Sequence, residues 1–130
     1  MSIDEAPSAV SIPYALDRDE GEVIRWFGDT ITVKSAGPTF DIAVVSSAAG
    51  GEPPRHLHPE CDEAIYVLEG ALVVFVGDEA FEAAEGTFVS VPATVPHRLV
   101  VTSRRARLLT IQSPSGVLDA YGDAQHASRP

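Results

Sequence analysis

Short β-type runs separated by glycine and proline constrain the fold of this chain more than any other feature. The runs are rich in β-branched and aromatic residues and recur at roughly 8–12-residue spacing, and no long segment has the 3.6-residue period of a helix. The predicted strands are Glu22–Phe27, Thr30–Lys34, Phe40–Ser46, Glu63–Val76 interrupted at Gly70, Glu79–Ala83, Thr87–Val91, His97–Thr102 and Arg107–Gln112. This pattern predicts an all-β fold in which two antiparallel sheets form a sandwich or barrel.

Turn residues between the runs predict tight connections. We assign turns to Gly28-Asp29, to residues 36–38 and to Gly77-Asp78, and a longer proline-bracketed turn to Pro92–Pro96. Val117–Tyr121 is a candidate helical turn. These connections are short enough to join neighbouring antiparallel strands.

The 130 residues suit a single domain. We expect an N-terminal arm over residues 1–20, a β-barrel over 21–118 and a polar C-terminal tail over 119–130. The first residues lack the basic and apolar regions of a signal peptide, so none is expected.

The charge of the chain bears on its partners. A formal net charge of −10 argues against nucleic acid, which requires a basic surface, and against an anionic membrane. No apolar run approaches the ~18 residues of a membrane span. The single cysteine, Cys61, precludes an intrachain disulfide and suits a reducing cytoplasm. We therefore expect a cytoplasmic protein whose partner is a small molecule.

Four residues form the pattern that carries chemistry. His56 and His58 are two positions apart, so on a predicted strand their side chains face the same side. Glu63 opens the next predicted strand, and His97 supplies a third imidazole after the proline-bracketed turn. Three imidazoles and one carboxylate suit a divalent transition metal (Fe, Mn, Ni, Co, Cu or Zn) and leave open coordination positions. This set predicts one bound metal ion.

Strand alternation predicts which side chains surround these ligands. Residues two and four positions after Glu63 and after His97 should face inward with them. The neighbouring Glu60, Cys61 and Asp62 are not expected to be ligands. Core and cavity walls are expected from Trp26, Phe27, Phe40, Ile42, Val44, Ile65, Val67, Phe75, Phe88, Leu99, Val101 and Leu109.

Two segments resemble the motifs of a known family. Residues 50–70 read G-x5-H-x-H-x4-E-x6-G, which resembles the first cupin motif without a gap. Residues 86–97 read GTFVSVPATVPH and resemble the second motif, G-x5-P-x-G-x2-H-x3-N. The 15 residues 71–85 separate the two segments, as in a compact cupin. Thr94 replaces the glycine of the second motif, and Val101 replaces its asparagine.

The resemblance implies a jelly-roll β-barrel, usually dimeric, with a metal held by the four residues named above. Asp62–Gly70 is similar to a segment of single-domain cupins described as quercetin-dioxygenase-like. That group includes dioxygenases, polyketide cyclases and isomerases.

Three functions remain open. The first is a metal-dependent oxygenase acting on a chelating, aromatic or enolisable substrate, with Glu63 as ligand or general base. The second is a redox-neutral cyclase, isomerase or lyase in which the metal is a Lewis acid. The third is a non-enzymatic small-molecule binder, which a very small cavity would favour. An apolar Val101 in the cavity would favour a hydrophobic substrate over a sugar.

Overall fold

The computed structural model describes residues 12–118, whose regular structure consists of antiparallel strands and, at its end, two helical residues, Val117 and Leu118. The strands are β1 (Glu22–Trp26), β2 (Asp29–Ala36), β3 (Asp41–Ala48), β4 (Asp62–Glu69), β5 (Ala71–Val76), β6 (Glu79–Ala84), β7 (Phe88–Val91), β8 (His97–Val101) and β9 (Arg105–Ser113). Six of them form one sheet in the order β1-β2-β3-β9-β4-β7, and three form a second in the order β6-β5-β8. The predicted all-β double-sheet jelly roll is confirmed.

The ends of the chain lie partly outside this description. Residues 1–11 of the expected arm and residues 119–130, the expected tail, are not among the described residues, nor is most of the candidate helical turn at Val117–Tyr121. Within residues 12–118, no helix has the length and apolarity needed to cross a lipid bilayer.

The core lies between the two sheets and is made of alternate residues of almost every strand. Ile65 and Val67 of β4 face inward with Glu63, and Val101 faces inward with His97, as strand alternation predicted. The buried apolar set includes Ile24, Ile31, Val33, Ala43, Val45, Ile65, Val67, Leu72, Val74, Val89, Val91, Val101, Ala106 and Leu108. Burial of each large aliphatic side chain in this set contributes about 1.5–3 kcal/mol.

The predicted inward face of β3 is wrong. Ala43 and Val45 point into the core, with 1% and 8% of their surface exposed, whereas Ile42 and Val44 lie half-buried on the outer face. Both alternating sets of this strand are apolar, so the choice depends on its pairing with β9 rather than on its own pattern.

Three aromatic residues expected in the core are also exposed. Phe27, Phe40 and Phe88 expose 64%, 42% and 61% of their surface. Phe88 lies on β7 at the edge of the six-stranded sheet, and Phe27 and Phe40 lie outside the strands. A large apolar side chain therefore did not by itself identify a core position.

The β1–β2 turn begins one residue earlier than predicted. Phe27 and Gly28 form the turn, with Phe27 in the left-handed region at φ 54°, and Asp29 is the first residue of β2. Gly28 has no room for a side chain because a Cβ there would lie 2.4 Å from the carbonyl oxygen of Gly51. The same approach allows the Gly28 amide to donate a 2.8 Å hydrogen bond to that oxygen. The hairpin tip is thereby joined to the loop that leads to His56.

Candidate metal centre

The segment that carries two of the candidate ligands is extended but is not the predicted strand. Only His56 makes a β-bridge, an isolated one with His97, and Leu57 and His58 belong to no strand. The His56 amide donates to the His97 carbonyl at 3.0 Å, and the His97 amide donates to the His56 carbonyl at 2.8 Å. The first-motif segment is therefore attached to β8 by its main chain.

The three imidazoles converge. Each offers a ligand nitrogen, and these nitrogens all lie within 4.8 Å of one another, so His56, His58 and His97 are positioned to bind a metal. The ring centroids of His56 and His97 are 4.4 Å apart. The ring centroid of His58 lies 5.1 Å from that of His56 and 5.2 Å from that of His97.

Glu63 lies beside two of these rings. Its Oε1 is 3.4 Å from Nε2 of His58 and 3.4 Å from Nε2 of His97. That oxygen is buried and makes no hydrogen bond. Burial by itself would raise the pKa of Glu63, but the interactions with the two imidazoles outweigh burial and lower this pKa to about 2. The carboxylate is thus ionised and faces the point where the imidazoles meet.

Backbone carbonyl groups orient two of the rings. Nδ1 of His56 lies 2.8 Å from the carbonyl oxygen of Pro54, and Nδ1 of His97 lies 3.2 Å from that of Val95. A ring whose Nδ1–H donates to a carbonyl presents the lone pair of Nε2 on its other side, as metal-binding histidines do.

The two oriented histidines differ in how readily they take up a proton. Burial lowers the pKa of His56, which favours the neutral form that binds metals. For His97, burial also acts to lower the pKa, but the adjacent Glu63 carboxylate outweighs it and raises the pKa. A proton bound to His97 and a metal ion bound at the site would therefore compete for the negative charge of the Glu63 carboxylate.

The turn before β8 supports the site. The Thr94 amide donates a 2.9 Å hydrogen bond to the carbonyl of His58, and the Ala93 amide donates one of 2.9 Å to Oδ1 of Asp62. Thr94 adopts φ 70°, the left-handed conformation that the motif's glycine would take without strain. Thr94 thus keeps the backbone geometry of the glycine that it replaces. Asp62 faces away from the imidazoles, as strand alternation predicted.

A cavity of about 50 Å³ opens beside the imidazoles. Since one water molecule in liquid occupies about 30 Å³, this space holds one or two solvent molecules or a small chemical group. Its walls come from both sheets. They are Trp26, Asp29, Ile31, Val45, Pro53, His56, Glu63, Ile65, His97, Leu99, Leu108, Thr110, Gln112 and Leu118.

Aromatic rings connect this cavity with the surface. The half-buried Trp26 packs edge-on against His56, with ring centroids 5.0 Å apart, and against the exposed Phe27, with centroids 5.1 Å apart. Trp26 is therefore a cavity residue, as the sequence predicted.

A family model for the cupin domain matches residues 43–112, which is more than half of the chain. The chain belongs to the cupin family. Quercetin 2,3-dioxygenase of Bacillus subtilis (strain 168) is 30% identical to this cupin over 127 residues, covering 92% of this chain and 38% of the relative. This cupin thus spans less than half the length of that relative.

Solved structures with similar folds include proteins of different kinds. An RmlC-like cupin from Shewanella frigidimarina has a TM-score of 0.73 and 20% identity, covering 84% of this chain and 96% of that one. KdgF from Halomonas sp. has a TM-score of 0.70 and 21% identity, covering 76% and 93%. Streptomyces Pac13 with uridine has a TM-score of 0.71 and 19% identity, covering 84% and 88%, and Pac13 is described as a nucleoside dehydratase. At these identities the likeness concerns the fold.

The residues of this cupin fit a metal ion. The three convergent imidazole nitrogens suit borderline divalent transition metals. The ionised, buried Oε1 of Glu63 faces two of these imidazoles at 3.4 Å, and a cation between them would compensate its charge. Orientation of His56 and His97 by backbone carbonyls is the outer-sphere support that metal ligands usually have.

Residues next to the candidate ligands have other roles. Glu60 is exposed. Cys61 is buried, and burial together with nearby carboxylates raises its pKa to about 11, so its thiol stays protonated. Val101 is buried but lines no part of the cavity, and its amide donates to Glu52 at 2.8 Å. The expectation that Val101 makes the cavity apolar is therefore wrong.

Sequence reasoning missed the polar side of the cavity. Asp29 was taken as a turn residue, and Thr110 and Gln112 as plain strand residues, yet all three are buried on the cavity wall. Gln112 is directly opposite Glu63 in the pairing of β4 with β9. The expectation that Leu109 faces the core is wrong, since Leu109 is half-buried on the outer face and Leu108 is buried; two-residue alternation from Leu108 leads to Thr110 and Gln112.

Proposed function

We propose that this cupin is a metal-dependent enzyme acting on a small molecule, and that it is an oxygenase for a chelating, aromatic or enolisable substrate. One divalent transition-metal ion would be held by His56, His58, Glu63 and His97. The single observation that carries this proposal is the buried Glu63 oxygen, 3.4 Å from two imidazole nitrogens and without a hydrogen bond.

The metal, when bound, would polarise a chelating oxygen of the substrate and provide an open position for dioxygen. The chain supplies the rest. His56 and His97 keep fixed orientations because backbone carbonyls hold their Nδ1 atoms. Glu63 would act as a metal ligand, because a pKa of about 2 makes its carboxylate a weak general base, which is its alternative role.

The sequence likeness supports the oxygenase in particular. The relative that is 30% identical over 92% of this chain is a quercetin 2,3-dioxygenase. Because this cupin covers only 38% of that relative, the likeness does not assign a flavonol substrate to this cupin.

The size of the cavity limits the substrate. A cavity of about 50 Å³ has room for only part of a large substrate. We infer that such a substrate inserts one end and leaves its remainder beside Trp26 and the exposed Phe27. The same small volume favours the competing function, a non-enzymatic binder.

A redox-neutral cyclase, isomerase or lyase is the second candidate, and the carboxyl groups in the cavity favour it. Burial raises the pKa of Asp29 to about 6, while the imidazoles lower that of Glu63 to about 2 despite burial. A carboxyl group with a pKa near 6, such as Asp29, suits proton transfer to or from a substrate, whereas Glu63 would stay ionised beside the metal.

Metal loading followed by parallel aerobic and anaerobic assays tests these functions. The protein would be loaded in turn with Fe(II), Mn(II), Ni(II), Co(II), Cu(II) and Zn(II) and given quercetin, catechol or acetylacetone. Metal-dependent oxygen uptake that exceeds that of a His97→Ala variant supports the oxygenase. Turnover with Zn(II) in the absence of dioxygen would favour the redox-neutral enzyme. Stoichiometric metal binding without turnover would favour a non-enzymatic small-molecule binder. Failure to bind any metal would overturn the proposal.

We further propose a cytoplasmic homodimer. Tyr66 and Phe88 are cross-strand partners on the outer face of the six-stranded sheet, with 44% and 61% of their surface exposed. Exposed aromatic pairs of this kind support a protein interface. Light scattering after size exclusion should give twice the 13.8 kDa chain mass, and a monomeric mass would contradict the dimer.

A further inference from the structure

Asp29 is a buried carboxyl group that the proposed metal centre does not use. It begins β2, exposes 5% of its surface and lines the same cavity as His56, Glu63 and His97. Its Oδ1 is buried and makes no hydrogen bond, and among the described residues it forms no ion pair.

Asp41 is a second buried aspartate and serves as a comparison for Asp29, because its carboxyl group has a hydrogen bond within the fold. It is as buried as Asp29, with 3% exposed, and its Oδ2 accepts a 2.8 Å hydrogen bond from the Gly116 amide. Asp41 does not line the cavity. Asp29 is as buried as Asp41 but has a side-chain hydroxyl, that of Ser47, as its polar neighbour in place of a backbone amide, and its Oδ1 is left unbonded. An unbonded buried oxygen costs about 1–3 kcal/mol.

The surroundings of Asp29 favour its protonated form. Burial raises its pKa to about 6, the Glu52 carboxylate adds to this effect, and the Ser47 hydroxyl opposes it. The other titratable groups around the cavity are His56, Glu63 and His97. Below about pH 6 the Asp29 carboxyl group therefore holds its proton, and in that form it is a hydrogen-bond donor as well as an acceptor.

We propose that Asp29 is a specificity-determining residue, which as a neutral carboxylic acid donates a hydrogen bond to an oxygen of the ligand bound at the imidazole cluster. This inference rests on the proposed metal-dependent function and narrows its substrate to small oxygen-rich chelators, such as hydroxamates and hydroxy-carbonyl compounds. The ligand reaches the metal with one oxygen and Asp29 with another. An apolar substrate end would leave the carboxyl group of Asp29 unsatisfied and would be disfavoured.

Acetohydroxamate is a suitable probe because it is small and chelates through oxygen. Its dissociation constant would be measured by calorimetry at about pH 6, where Asp29 still carries its proton in part, on Zn(II)-loaded wild type, Asp29→Asn, Asp29→Ala and, as matched control, Asp41→Asn. Metal content would be determined for each protein beforehand. Asparagine keeps a hydrogen-bond donor without the carboxyl group, and alanine removes the donor.

We expect all four proteins to hold the same amount of zinc. Asp29→Ala should bind the probe about tenfold more weakly, the value of one hydrogen bond, whereas Asp29→Asn and Asp41→Asn should stay within about twofold of wild type. If Asp29→Ala does not fold, Asp29→Leu, which is close in volume, takes its place.

Two results would overturn the inference while leaving the metal centre intact. One is unchanged probe affinity in Asp29→Ala, and the other is an equal loss in Asp29→Asn and Asp29→Ala, which would mean that the donor is not what matters. Absence of zinc from the wild type is a different result, which would reject the proposed function and this inference together.

Discussion

The main chains of His56 and His97 pair through two reciprocal hydrogen bonds of 3.0 and 2.8 Å. This pairing brings their rings to a centroid distance of 4.4 Å. Because backbone atoms make the bonds, replacement of either side chain should leave the pairing in place. The main-chain frame of the site therefore does not depend on the ligand side chains.

His97→Ala should abolish stoichiometric metal binding while the fold persists. Loss of an outer-sphere partner alone typically weakens metal affinity 10–100-fold, so loss of a ligand should exceed about 100-fold. Inductively coupled plasma mass spectrometry of the purified protein measures its metal content, and far-ultraviolet circular dichroism shows whether the fold persists. Arg98→Ala is the control, since Arg98 is the next residue of β8 and its guanidinium lies outside over Phe75, 4.6 Å from the ring centroid. Equal metal content in both variants would contradict a ligand role for His97.

Thr94→Gly should stabilise the protein. A β-branched residue at φ 70° is strained by about 1–3 kcal/mol, and glycine relieves this strain at an entropic cost of about 0.5–1 kcal/mol, for a net gain of roughly 1 kcal/mol. Urea denaturation measures the change. Ala93→Gly is the matched control in the same turn, because Ala93 has no left-handed backbone to relieve and should lose about 0.5–1 kcal/mol. A loss of stability in Thr94→Gly would show that Thr94 is not strained.

Asp29→Asn should remove a pH dependence of stability. The pKa of Asp29 is raised from 3.8 to about 6 in the folded state, so folding favours its protonated form. The contribution of Asp29 to the free energy of unfolding is therefore lost as pH rises from about 4 through 6. A pKa shift of about two units corresponds to about 3 kcal/mol of this free energy. In metal-free protein, the variant should gain stability relative to wild type at pH 8 and little at pH 4. Parallel stability curves for the two proteins would refute a raised pKa.

Gly70→Ala and Gly86→Ala should differ sharply, although both glycines have nearly the same conformation, φ 87° and 89°. A Cβ at Gly70 would lie 2.4 Å from the carbonyl oxygen of Arg105, whereas one at Gly86 meets nothing within 4 Å. Gly86→Ala should lose about 1–2 kcal/mol from backbone strain, and Gly70→Ala at least ~3 kcal/mol because a steric clash adds to it. Thermal unfolding of both variants measures the difference, and equal losses would mean that the clash at Gly70 relaxes freely.

Much of the fold was predictable because glycine and proline mark where strands end. The strand predicted at Glu79–Ala83 runs over Glu79–Ala84, and that predicted at Thr87–Val91 runs over Phe88–Val91. The candidate ligands were recognisable because three of them share one contiguous motif and His97 ends a second. The convergence of the three histidines to within 4.8 Å depends on the long-range pairing of His56 with His97, which the spacing alone did not give.

The features that depend on long-range pairing were not predictable. Both alternating sets of β3 are apolar, and only its register with β9 decides that Ala43 rather than Ile42 is buried. Asp29 was missed because a Gly-Asp pair usually marks a turn, whereas here Phe27 takes the left-handed position and shifts the turn by one residue. A phenylalanine rarely adopts that conformation, so no local rule would have assigned it.

Glu63 belongs to the six-stranded sheet and His97 to the three-stranded sheet, and only 3.4 Å separates their facing side-chain atoms. A cation held by both residues would therefore join the two halves of the sandwich across the middle of the molecule. Slippage of one sheet over the other would destroy the site at once, and a bound ion would resist such slippage as a cross-link does. Exchange of such an ion and relative motion of the two sheets would therefore be coupled.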